Sequence, residues 1–255
     1  DPVCHWEINE AERILGNYAP AIPFNRKGWE NIVNKHDGYL QVEIKAVPEG
    51  MIVPNKNVLF TIRNTDPEVY WLPAYLETLL VRLWYPITVA SNSWRIKQVI
   101  KESMEKTSDS IEGLEYKLHD FGSRGVSSKE SAGIGGMAHL TNFVGTDTIE
   151  GLQYANEYYG MSIKGNAASI PAAEHSSIIS WGKDREVDAY KNMLKQFANP
   201  GSIVAVVSDS YDINYAVTQL WGKELREIGR ASCRGRVVGW GGGGGGWGGG
   251  GGGGG

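Results

Sequence analysis

From Gly113 onward the chain alternates short β-type runs, polar or glycine-containing turns and amphipathic helical stretches, and this rhythm restricts it to folds built from βα units. The first run, Tyr116-Lys117-Leu118-His119-Asp120, leads to a helix capped near Ser127 or Ser128. The second, Thr141-Asn142-Phe143-Val144, leads to a helix that sets Ile149, Leu152, Ala155 and Tyr158 on one face. A third unit is less regular. The helix beyond Asp184 then places Val187, Tyr190, Leu194 and Phe197 on one stripe, and Ile203-Val204-Ala205-Val206-Val207 is a continuous apolar run of the kind buried on both faces of a parallel sheet. The last pattern predicts a helix with Ile213, Val217, Leu220 and Trp221 facing inward.

Ahead of Gly113 the pattern differs. Val42–Val47 and Val58–Ile62 are short β-type runs separated by Pro48, Gly50 and Pro54. Asn64-Thr65-Asp66-Pro67-Glu68 is a helix-start signal, with a capping side chain followed by proline where its absent N–H costs nothing. Helices over about 68–84 and 91–106 are expected to follow. The expected organisation is therefore α/β, with an α+β domain over 1–112 and the opening half of a parallel α/β barrel over 113–226. The final stretch, 227–255, differs again. Glu227-Ile228-Gly229-Arg230-Ala231-Ser232-Cys233-Arg234 resembles a translated sequencing adapter, and the glycine run behind it, broken by Trp240 and Trp247, has no side chains to bury. It reads as an artefactual, disordered tail that contributes no packing.

Composition excludes several function classes. A net charge of −4 gives no broad basic surface for nucleic acid, and no run of about 18 apolar residues is present for a membrane span. Cys4 and Cys233 make no disulfide framework, and the first residues carry no basic-then-apolar leader. The expected address is the cytoplasm, with small molecules rather than nucleic acid or membrane as partners.

In parallel α/β barrels the chemistry collects beyond the carboxyl ends of the strands. The turns expected there hold Phe121-Gly122-Ser123-Arg124, Gly145-Thr146-Asp147, Ser169-Ile170-Pro171-Ala172-Ala173-Glu174-His175-Ser176 and Ser208-Asp209-Ser210-Tyr211-Asp212. One rim would thus carry an aromatic face, a fixed cation, carboxylates and an imidazole. Each also has a plain structural explanation: Arg124 as a surface ion-pair partner, His175 as a hydrogen-bonded core histidine, Asp147 and Asp209 as helix caps. Periodicity alone leaves the substrate open.

The runs Lys117–Ser128, Gly145–Thr148, Pro171–Ser176 and Val207–Asp212, with Ile44–Gly50 and Trp84–Ala90 upstream, resemble the nicotinamide phosphoribosyltransferase family. The resemblance extends from about Lys27 to about Leu225 and covers that family's middle section. It implies a type II phosphoribosyltransferase barrel that transfers ribose 5-phosphate from phosphoribosyl pyrophosphate to nicotinamide. The release of pyrophosphate would occur with Mg²⁺ held through substrate phosphates, and ATP would act as a coupled phosphoryl donor. By the same resemblance Phe121 supplies a face for the pyridine ring, Asp147 accepts from the carboxamide NH₂, and Arg124 binds phosphate. Ser169 and Ile170 join the substrate-binding set. His175 is the phosphorylatable histidine and Asp209 its partner, while no residue here is assigned to metal. A homodimer is implied too, whose second subunit supplies a tyrosine against the other ring face. Ser123 stands where the family has Tyr, and Ala205 where it has Ser, and neither removes a charged ligand. The 255 residues alone are expected to be inactive. Two other readings remain: a nicotinate phosphoribosyltransferase, which a carboxylate at Asp147 disfavours by repulsion, and a non-catalytic binding or signalling protein of the same fold.

Overall fold

The computed structural model describes residues 1–199 and 202–226 together with the backbone of 237–240. Its contacts divide the chain into two compact units, Asp1–Ala167 and Ala168–Gly255.

The first unit opens with helices α1 (His5–Tyr18) and α2 (Arg26–His36), joined by the Arg26 guanidinium, which donates to Glu12, Glu30 and Asn9. Strands β1 (Val42–Ala46) and β2 (Phe60–Asn64) pair antiparallel, Val42 opposite Asn64 and Ala46 opposite Phe60. Asp66 then caps the next turn as expected, accepting from the Glu68 N–H, with Pro67 in the first position. This start is a 3₁₀ turn (Pro67–Val69) ahead of α3 (Leu72–Val81), and α4 (Trp84–Thr107) begins well before Ser91. The early start is possible because Pro86 lies in the first turn of α4, where its absent N–H has no helical acceptor. Ile32, Val69 and Leu72 are buried together, and Trp29, Trp71 and Tyr75 meet edge to face at 4.8–5.4 Å beside them.

A 3₁₀ turn (Leu114–Tyr116) leads into β3 (His119–Asp120) and then α5 (Lys129–His139), capped by the Ser128 hydroxyl accepting from Ser131 N–H. Strand β4 (Gly145–Thr146) runs parallel to β3, His119 opposite Gly145 and Asp120 opposite Thr146, and α6 (Ile149–Tyr159) follows. The second strand thus lies just past the expected Thr141–Val144. Those residues complete the turn out of α5, and Phe143 is wholly buried against the His139 ring. Bonds from the Asn142 side chain to Ala90 O and from Lys97 to Asn142 O tie α4 to this turn.

Helices α5 and α6 touch through glycine. A Cβ on Gly136 would stand 2.9 Å from Thr148 Cγ2 and 3.0 Å from Gly151 Cα, and one on Gly151 would meet the Gly136 backbone at 2.7 Å. The buried stripe of α6 is accordingly Gly151 and Ala155, while Ile149 and Tyr158 of the expected apolar face are exposed. Close backbone approach has turned the helix away from its bulkier residues.

The second unit holds α7 (His175–Ile179), α8 (Glu186–Phe197), β5 (Val204–Val207) and α9 (Ile213–Tyr215), which continues as a π-helical stretch, Ala216–Glu224. Ala172 bridges Ala205 in parallel, so the irregular third unit does supply a strand-like contact. Ile178, Ala189, Tyr190, Val204, Val206, Ala216, Leu220 and Leu225 form its core. Ile213 and Val217, expected inside, are exposed, because i→i+5 bonding adds a residue per turn and shifts the buried face onto Ala216 and Leu220. The tail expected to be structureless lies outside the described residues, apart from Val237–Trp240, which forms β6, parallel to β5. Those four residues depart from that expectation. Val237 and Val238 favour extended backbone, and β5 offers them a strand edge.

The architecture is mixed α/β. The described strands pair two by two and close into no barrel. None of the described helices is long and apolar enough to cross a membrane.

The glycine contact makes a direct prediction. Gly136→Ala should destabilise the chain by about 1–3 kcal/mol, the usual cost of overpacking. Gly16→Ala, in an exposed turn of α1 with open space around it, should stabilise by about 0.5–1 kcal/mol. Urea unfolding midpoints of both variants against the parent check this, and equal midpoints would refute the contact.

Candidate active site

In the first unit the site is built where β3 and β4 end. Asp120 is the hub: its Oδ1 accepts from Gly122 N–H at 2.8 Å, its Oδ2 lies 3.5 Å from the Thr146 hydroxyl, and its carbonyl accepts from Asp147 N–H at 2.9 Å. A Cβ on Gly122 would stand 2.8 Å from that same Oδ1, so a larger residue here would displace the carboxylate. Ser123 is drawn in from the far side, its N–H donating to Thr148 Oγ1 at 3.3 Å and its hydroxyl to Glu150 at 3.1 Å. Phe121 and Asp147 therefore leave adjacent parallel strands from backbone that is pinned on both sides.

His119 links the two. Its ring lies 4.7 Å from the Phe121 ring, tilted by 33°, and its Nε2 stands 3.0 Å from Asp147 Oδ1. That distance is within ion-pair range, but the N–H does not aim along it, and Nε2 is buried without a hydrogen-bond partner among the described residues. The imidazole is sheltered (13% exposed) and the carboxylate open (41%). Arg124 follows in the 3₁₀ turn Gly122–Gly125 and is exposed.

Beneath this edge lies His139. Its Nε2 donates to the Gly145 carbonyl at 3.0 Å, which leaves Nδ1 to accept from Ser93 Oγ at 3.4 Å. Burial lowers its pKa below the ordinary 6.5, against the opposing pull of Asp120. It is a neutral clamp on β4.

In the second unit His175 opens α7, and its Nε2 lies 3.0 Å from Asp209 Oδ1 in the turn after β5. The carboxylate accepts, so Nε2 holds the proton and Nδ1 the lone pair. Here the exposures are reversed: the imidazole is 51% exposed and the carboxylate 14%. The segment leading in is fixed to β5 by Ala205 N–H donating to Pro171 O and Ala173 N–H to Ala205 O, both at 3.0 Å. Ser169, exposed, and Ile170, half-buried, precede that ladder. Ser210 Oγ in the Asp209 turn is buried with no hydrogen-bond partner among the described residues.

Sequence reasoning missed His119, Asp120 and His139. The first two lie in the quoted run immediately before Phe121, at the strand end where polar residues gather. A histidine closing the small-residue stretch Ala132-Gly133-Ile134-Gly135-Gly136-Met137-Ala138 is the signal for the third, since a helix so rich in glycine packs closely and buries what it carries.

The ends of this parallel strand pair carry a carboxylate and an aromatic face, with a cation in the turn that follows. Residues 116–232 match the sequence model of the nicotinate phosphoribosyltransferase (NAPRTase) family. The chain is similar to the nicotinamide phosphoribosyltransferase of Xanthomonas campestris pv. campestris (strain 8004), 56% identical over 227 residues, 89% of this chain and 48% of that protein. The nicotinamide phosphoribosyltransferase of Acinetobacter baylyi (strain ATCC 33305 / BD413 / ADP1) is 38% identical over 72% of this chain and 36% of its own length. That of Mycoplasma pneumoniae (strain ATCC 29342 / M129 / Subtype 1) is 34% identical over 70% and 37%. The chain spans about half the length of the first of these relatives and less of the others.

Because His139 is held neutral, the unfolded chain binds the extra proton in acid. Its stabilising share is present above pH 6.5 and is lost as pH falls below that value. Replacing it as His139→Leu orphans the buried Gly145 carbonyl, which should cost about 1–3 kcal/mol at neutral pH and flatten the decline in stability below pH 6.5. Urea titrations at several pH values test both parts, and an unchanged slope would contradict the neutral clamp.

Proposed function

We propose that a protein carrying this chain at the length of its relatives transfers ribose 5-phosphate from phosphoribosyl pyrophosphate to nicotinamide, giving nicotinamide mononucleotide and pyrophosphate in NAD salvage. The observation that carries the reading is the placement of Phe121 and Asp147 at the ends of neighbouring parallel strands, bridged by His119. A flat ring stacks on Phe121, worth roughly 0.5–1.5 kcal/mol beyond burial, and its carboxamide NH₂ donates to Asp147. Arg124, exposed one turn on, suits phosphate oxygens because its planar fork binds them in pairs. By the family resemblance Ser169 and Ile170, in the second unit, also serve the substrate.

His175 and Asp209 serve the energy-coupling step. The Nδ1 lone pair attacks the γ-phosphorus of ATP, a P–N bond forms as the P–O bond breaks, and ADP leaves with the electron pair. Asp209 stabilises the imidazolium that results, through the bond it already makes to Nε2–H. Mg²⁺ would come with the substrate phosphates and offset their charge, a mode that asks for few protein ligands. No group of three or more His, Cys, Asp or Glu side chains gathers as a metal cage among the described residues, and none is assigned to the ion. The barrel begins near Gly113 inside the first unit, the working form is a homodimer, and the protein is cytoplasmic.

The decisive experiment is turnover of labelled nicotinamide with phosphoribosyl pyrophosphate by the protein at its relatives' length, with and without ATP. Product should form and ATP should accelerate it, and failure to form nicotinamide mononucleotide would overturn the reading. Preference for nicotinate would point instead to the other branch of the family. In the same protein His175→Ala should abolish the ATP stimulation while leaving a slower ATP-independent reaction, and retained coupling would assign the phosphoryl group elsewhere.

Substrate choice rests on Asp147. A hydrogen bond to a charged group is worth about 1.5–3 kcal/mol, or roughly ten- to a hundredfold in relative kcat/KM. Asp147→Asn should narrow the preference for nicotinamide over nicotinate by that order, since an amide can turn its own NH₂ toward a carboxylate. A plain helix cap would survive the change untouched, because Asn caps as well as Asp. Kinetics with both substrates decide, and a constant selectivity ratio would sink the assignment.

A further inference from the structure

Under the His175–Asp209 pair runs a buried polar chain for which hydrophobic packing gives no reason. The Tyr190 phenol donates to Glu186 Oε1 at 2.8 Å, and its ring stacks on the Trp221 indole at 4.9 Å and 11°. Trp221 Nε1–H donates to Ser208 Oγ at 2.9 Å, and the Ser208 hydroxyl lies 3.0 Å from the Val206 carbonyl, into which it donates. Glu186, Tyr190 and Ser208 are each at most 4% exposed. A carboxylate, a phenol and a hydroxyl in a small core are costly to desolvate, so a fully bonded chain of them fixes geometry that apolar packing leaves looser.

What they fix is the turn after β5. Ser208 immediately precedes Asp209, and its bonds hold that residue's backbone to the strand on one side and to the π-helical stretch on the other. That stretch is itself unusual: single π turns recur at functional sites, and this one brings Trp221 round to Ser208. On the far side of Asp209 the Tyr211 hydroxyl lies 3.5 Å from Ile179 O, the last residue of α7, whose first is His175. Asp209 is thus held from both flanks toward the imidazole. Burial first, and then the bond to Glu186, raise the Tyr190 pKa, and the charge of Asp209 adds to the rise, so the buried phenol and the site carboxylate sense one another.

We infer that Trp221 and Ser208 are positioning residues, whose hydrogen bond sets Asp209 so that His175 keeps its proton on Nε2 and presents Nδ1 as the nucleophile. The inference deepens the reading of His175 given above and rests on it for the phosphoryl step alone. Neither residue touches the reacting atoms.

The test reads the tautomer directly. In the ¹⁵N-histidine-labelled chain, with His175 assigned through His175→Gln, the ring nitrogen shifts above the imidazole titration give the ratio of Nε2–H to Nδ1–H forms. The parent should favour Nε2–H. In Trp221→Phe, which keeps the stacking and loses the donor, and in Ser208→Ala, that ratio should fall by about fivefold, the effect of one ordinary hydrogen bond. The His36 and His139 resonances should stay in place as evidence of an intact fold. An unchanged ratio in the folded variants would overturn the inference, since a merely structural network would lower stability and leave the tautomer alone. Should the variants fail to fold, the parent decides: no preference for Nε2–H, or a Trp221 indole proton that exchanges with solvent as fast as a free one, would overturn it equally. Incubation of the protein at its relatives' length, parent and variants, with ATP separates the two readings. A shifted ratio without phosphate on His175 supports the positioning and removes the phosphoryl step, whereas phosphorylation with an unshifted ratio overturns the positioning.

Discussion

Backbone contact between α5 and α6 is the constraint on which the first unit's site depends. Gly136 and Gly151 let two helices meet at a distance that excludes even a methyl group, and Gly133 and Gly135 admit the Tyr154 ring and the Tyr85 hydroxyl on neighbouring turns. Because α5 follows β3 and α6 follows β4, the crossing lies behind the turns that leave the two strands. Thr148, wedged against Gly136 at the head of α6, receives the Ser123 N–H. A larger residue at the crossing would therefore push apart the two turns that carry Phe121 and Asp147, not merely loosen a core.

Both units anchor their strand ends with buried polar groups. In the first, His139 grips the Gly145 carbonyl from below, and in the second the indole of Trp221 grips Ser208. Each anchored residue, Gly145 or Ser208, lies one or two residues from a carboxylate, close enough that a lost bond would move the side chain and not only the backbone. The energetic logic is shared. A buried donor aimed at a single acceptor contributes little net stability but makes every alternative placement expensive, because displacement leaves a polar atom unsatisfied in a dry interior.

Much of this was legible beforehand, for reasons that differ by element. The Asp66 and Ser128 caps read true because capping is local chemistry, settled within three residues. Strand β5 read true because an unbroken run of Val and Ala has few other homes. The faces of α6 and the last helix misled because apolar periodicity assumes side chains do the packing. In α6 glycine backbone does it, and past Tyr215 the period itself changes to that of a π-helix. The same blindness hid His139, whose role follows from burial that no pattern of apolar residues announces. The pairing of His175 with Asp209, far apart in sequence, was expected only through a family resemblance, and the tautomer it fixes came from geometry alone.

The two imidazole–carboxylate pairs are mirror arrangements, and the inversion has chemical sense. Where His119 meets Asp147 the ring is sheltered and the carboxylate open, and where His175 meets Asp209 the ring is open and the carboxylate sheltered. On the proposed reading Asp147 accepts from a substrate amide and so needs its oxygen in the solvent-facing position. On the same reading His175 accepts a phosphoryl, which asks for its nitrogen in front and a carboxylate behind, because positive charge builds on the ring as the bond forms. In each pair the exposed member is the one that reading puts to use, and exchanging His and Asp within a pair would reverse the exposures while keeping the same two residue types, so the order of burial carries more of the proposal than the presence of His and Asp.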